Sequence, residues 1–131
     1  MEAETVSVKV RNLYSKYTEA IETGNLDEAI DIGLNVYEEL LELVKKNVVP
    51  SLSTPSVREI ILNVIAHYER ELSFVKGARE AVYKMPSIYA ISVKEKALET
   101  LSYGINGLFN FSIGALLVAA DLYACMNLVS P

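Results

Sequence analysis

The stretch GLFNFSIGALLVAADLYACMNLV, residues 107–129, carries a single charge, Asp121. As a helix it would be about 35 Å long, close to the roughly 30 Å of a bilayer's hydrocarbon core. Any fold of this chain must therefore place it either inside protein or inside lipid. Projected at about 100° per residue, Glu95, Glu99, Ser102, Asn106, Asn110 and Asp121 fall within an arc of roughly 100°. The stripe is interrupted at Ile113 and Leu117, and nearly all the remaining circumference is apolar or small. A lipid-facing helix has no need of such a line continuing from its charged first turns. An aspartate within a span would also cost about 2.5–3.5 kcal/mol on insertion scales. No basic or tryptophan anchor follows the run. The pattern points to a helix buried on most sides rather than to a C-terminal anchor, which length alone would permit.

Three further segments have helical periodicity. Residues 5–23 place Val6, Val10, Leu13, Tyr17 and Ala20 at alternating steps of four and three. Gly24 suits a helix C-cap and Asn25 the next N-cap, with Asp27 and Glu28 favourably placed in the first turn. Residues 26–46 repeat the spacing with Leu26, Ile30, Gly33, Tyr37, Leu40 and Val44, widened by Ile32, Leu34, Val36, Leu41 and Leu43. After the proline-bracketed loop NVVPSLSTPS, Ser56 and Glu59 have capping-box spacing, with Thr54–Pro55 a competing start. That third helix, residues 56–84, should bury Val57, Ile61, Val64, Tyr68, Leu72, Val75 and Val82. Ser92 and Glu95 repeat the capping signature and open a fourth helix over residues 92–128. No sustained alternation supports strands. The expectation is an all-α, four-helix up-and-down bundle in one domain, residues 1–131.

The chain's charge and unusual residues narrow its chemistry. A net charge of −5 with no run of basic residues argues against a nucleic-acid partner, and none is expected. Cys125 is the only cysteine and His67 the only histidine, so no intramolecular disulfide, cysteine-based zinc site or multi-histidine site can form. No metal or cofactor is expected. MEAETVSVKVRN lacks the apolar core of a signal peptide, so a cytoplasmic protein is the simplest expectation, with a virion or membrane association left open. The absence of glutamine and tryptophan, with many Glu and Lys, leans towards a thermophile.

No catalytic constellation emerges. Glu-x-x-His, which carboxylate-bridged bundles need on two helices, does not occur once. The helical HEPN-type nucleases carry Arg-x4–6-His, whereas eight residues separate Arg58 from His67. His67, one turn from Asn63 and Glu71, reads as a structural histidine. Glu19/Glu22 and Glu38/Glu42 read as solvated helix edges. Gly104, Gly107 and Gly114 lie in a helical pattern without the lysine of a phosphate loop, and suit close helix approach. Eight tyrosines against three phenylalanines suit half-buried seams and interfaces, and Tyr14, Tyr17, Tyr89 and Tyr103 cannot all face one interior.

Tyr17 to Gly33, YTEAIETGNLDEAIDIG, resembles the helical hairpin of a tetratricopeptide repeat or of the related MIT domain, over about residues 13–44. The resemblance implies an antiparallel helix pair, a bias towards peptide binding and no catalytic residue. No second copy follows one repeat length later, as a solenoid would need.

The function expected is therefore a non-enzymatic structural or interaction protein that self-associates, such as a building block of a virion or filament. A helical adaptor for a partner helix or peptide and a membrane-anchored subunit are the alternatives. The expected interface is Gly107, Gly114, Ala115, Ala119 and Tyr123 on the fourth helix, where small residues let a partner backbone come close.

Overall fold

The computed structural model describes the backbone from Glu2 to Val129 and the side chains of residues 6–50 and 52–112. Its α-helices are α1 (Glu2–Glu22), α2 (Leu26–Leu43), α3 (Pro55–Ala81) and α4 (Ser87–Val129), and no strand occurs among the described residues. The four pack as an all-α bundle. α2 and α4 form its most extensive contact, and α1 and α3 each lie against both. Among the described residues α1 and α3 have little contact with each other.

Side-chain contacts fix the directions. Lys94 of α4 reaches Asp27 at the start of α2 at 2.9 Å, and Tyr37, further along α2, lies against Gly104. α2 and α4 therefore run the same way. Tyr17 meets Ser102 while the earlier Tyr14 meets Asn106, so α1 runs against α4. Arg79 bonding Asp31 and Tyr68 accepting from Tyr37 set α3 against α2 likewise.

The breaks have local causes. Gly24 takes φ of 75°, which L side chains rarely adopt, and its N–H bonds the Ile21 carbonyl at 3.1 Å. Asn25 caps α2 as expected, its Oδ1 accepting the Glu28 N–H at 3.1 Å. α2 stops being α-helical at Leu43 rather than at Lys46, widening into a π turn at Val44–Val48 and then a 3-10 turn at Val49–Ser51. Pro50 supplies the reason: it has no N–H, and its ring would strike the carbonyl of Lys46 in an unbroken α-helix.

Neither of the two expected capping boxes starts a helix. α3 begins at Pro55 with extended Thr54 as its N-cap, so Ser56 is already inside. Its α-helix ends at Ala81, and Val82–Lys84 follow as a 3-10 turn. Met85 is extended (φ −96°, ψ 150°), as a residue before proline must be. The Pro86 carbonyl then accepts the N–H groups of Tyr89 and Ala90 at 3.0 and 3.1 Å. α4 thus begins at Ser87, more than a turn before Ser92.

The core is built on the expected stripes of α1 and α2: Val6, Val10, Tyr17 and Ala20 with Ile30, Tyr37, Leu40 and Val44. Ala97, Leu101, Ile105 and Leu108 close it from α4. α3 departs from its expected face. Leu72, Val75 and Val82 are buried, but Val57 and Val64 stay 42% and 41% exposed, and Ile65 is buried instead. With α1 on the far side of the α2–α4 pair, α3 is covered from one direction only and needs a narrower stripe. Among the described residues no helix is long and apolar enough to cross a membrane.

Candidate functional site

α4 presents two sockets formed by missing side chains. A Cβ on Gly104 would lie 2.7 Å from the Tyr37 Cζ and Oη. One on Gly107 would meet the Tyr68 hydroxyl, with Cζ at 3.3 Å. Tyr37 comes from α2 and Tyr68 from α3, so both glycines seat tyrosines of the same chain. Gly107, expected at an interface, packs against Tyr68. Gly114, Ala115, Ala119 and Tyr123 lie outside the residues whose side chains are described. The sequence suggested close helix approach at these glycines, whereas at Gly104 and Gly107 it is tyrosine rings that come close.

Tyr37 forms the floor of a cleft between α3 and α4. It is fully buried, and its hydroxyl donates to the Tyr68 carbonyl at 3.0 Å. Burial pushes its phenol well above the usual range, and the negative charge of Glu71 adds to the shift. Above it His67, Tyr68 and Glu71 of α3 face Lys96, Glu99, Thr100 and Tyr103 of α4 across a space of about 360 Å³. His67 Nε2 lies 3.7 Å from Glu71, Lys96 donates to Glu99 at 3.3 Å, and Thr100 donates to the Lys96 carbonyl at 3.0 Å. These charged groups and the threonine thus satisfy partners on their own helix instead of converging on a reacting atom. The His67 and Glu71 side chains are 60% and 40% exposed, so water screens their pairing. Among the described residues no three His, Cys, Asp or Glu side chains cluster to hold a metal.

Charge elsewhere ties helices together. Arg79 donates to both carboxylate oxygens of Asp31 at 2.8 and 3.2 Å and stacks its guanidinium 4.6 Å from the Tyr83 ring centroid. The bond to Asp31 raises the Arg79 pKa further, against the opposing effect of burial. With Lys94 bonded to Asp27, this joins α2, α3 and α4 at one end of the bundle. Glu38 pairs with Lys76 and Glu42 with Lys46, which makes that acidic edge a solvated one. The larger groove between α1 and α2, about 770 Å³, is rimmed by Lys9, Glu39, Glu42 and Lys46. It is a polar seam.

The tyrosines divide. Tyr17 buries itself and shares a 2.5 Å hydrogen bond with Ser102, while Tyr14 donates to Asn106 at 2.7 Å and packs on Phe109. The polar line of α4 is thus partly where α1 docks. Tyr89 and Tyr103 are instead 65% and 72% exposed. Other exposed apolar side chains include Ile60, Leu62 and Val64 on α3, and Ile88 and Ile91 at the start of α4. Comparison of the chain with protein-family models, curated proteins and solved structures finds no match.

Proposed function

We propose that the chain is a non-enzymatic structural or interaction protein, an up-and-down helical bundle that self-associates as a subunit of a larger assembly such as a virion or filament. The observation that carries this reading is apolar surface without intrachain cover. Ile60 and Ile88 are 60% and 75% exposed, and exposed apolar surface of this kind can mark interaction sites. α4 adds to it. At 43 residues it is about 64 Å long, against 27 residues for α3, so no other helix of the chain can run beside all of it. Supporting the absence of catalysis, the groups lining the α3–α4 cleft pair locally. The partner in this reading is a further copy of the chain, with no cofactor and no nucleic acid.

The direct test is mass in solution without detergent. A defined multiple of the monomer supports the reading, and a monomer at high micromolar concentration removes it. One observation favours a second reading, contact of α4 with a membrane: residues 107–129 hold only Asp121 as a charge. That reading requires a protein that is monodisperse only in detergent or that floats with vesicles.

A further inference from the structure

We draw no further inference here: the strongest candidate, the exposed apolar patch of Val57, Ile60 and Val64 on the first half of α3, carries nothing beyond the self-association reading, because nothing in the structure shows what covers it.

Discussion

Gly104→Ala and Gly77→Ala are the same chemical change at two interior helical positions, and the structure assigns them opposite signs. Around Gly77 nothing lies within 4 Å of an added Cβ, so alanine there acts only on backbone entropy and should stabilise by about 0.5–1 kcal/mol. At Gly104 the same gain is available, but the methyl group would sit 2.7 Å from both Cζ and Oη of Tyr37. That ring cannot swing away cheaply, because it is fully buried and its hydroxyl is bonded to the Tyr68 carbonyl. Overpacking of this kind costs about 1–3 kcal/mol. Losing the hydrogen bond adds about 0.5–1.5 kcal/mol. The losses exceed the gain, giving a net destabilisation of about 0.5–4 kcal/mol for Gly104→Ala. The assay is guanidinium denaturation followed by circular dichroism, at one protein concentration because association shifts apparent stability. If both variants move the midpoint upward, Tyr37 does not fill the Gly104 socket and the packing of α2 on α4 is wrong.

Helix starts give a second comparison. Asn25→Ala should cost about 0.5–2 kcal/mol, since it strips the acceptor from the Glu28 N–H, whereas Ser92→Ala, inside α4 and exposed, should be neutral or slightly stabilising. A loss for Ser92→Ala matching that for Asn25→Ala would move the start of α4 back to the capping sequence. Alkaline pH gives a third. Burial holds the Tyr37 and Tyr17 phenols above their unfolded value of about 10, so their stabilising contribution is whole below that pH and is lost as pH rises beyond it. The unfolding midpoint should fall above that pH, and Tyr37→Phe should flatten the fall; an unchanged slope would mean the ring is not buried. Ser102→Ala should cost about 0.5–1.5 kcal/mol in the same denaturation assay, because the Tyr17 hydroxyl keeps only a 3.5 Å contact with the Leu98 carbonyl. No loss of stability would mean that the Tyr17–Ser102 bond does not hold α1 to α4.

What the sequence made legible was local and periodic. Of the two stripes, Val6, Val10, Tyr17 and Ala20 and Ile30, Gly33, Tyr37, Leu40 and Val44 are buried while Leu13 and Leu26 are half-buried, and Gly24–Asn25 breaks the chain where it should. The start of α4 was missed because Pro86 supplies the carbonyl for the first turn, while Ile88, Tyr89 and Ile91 show no one-sided pattern to mark it. Val57 and Val64 misled for a related reason: a stripe shows which face could be buried, not how many neighbours arrive to bury it. Of the expected interface only Gly107 has a described environment, and it holds Tyr68. The sockets for Tyr37 and Tyr68 and the bonding of Asp31 to Arg79 join residues far apart in the chain, which periodicity within one helix cannot pair.

The central question is whether the exposed apolar surface of this bundle drives its copies together in water. Multi-angle light scattering of the wild-type chain, in detergent-free buffer at high micromolar concentration, reads this directly. The prediction is a mass that is a defined multiple of 14.5 kDa and that falls when exposed apolar residues are made charged, as in Ile88→Glu/Ile91→Glu. A wild-type peak at 14.5 kDa would contradict the claim and leave α4 as the bundle's own central helix.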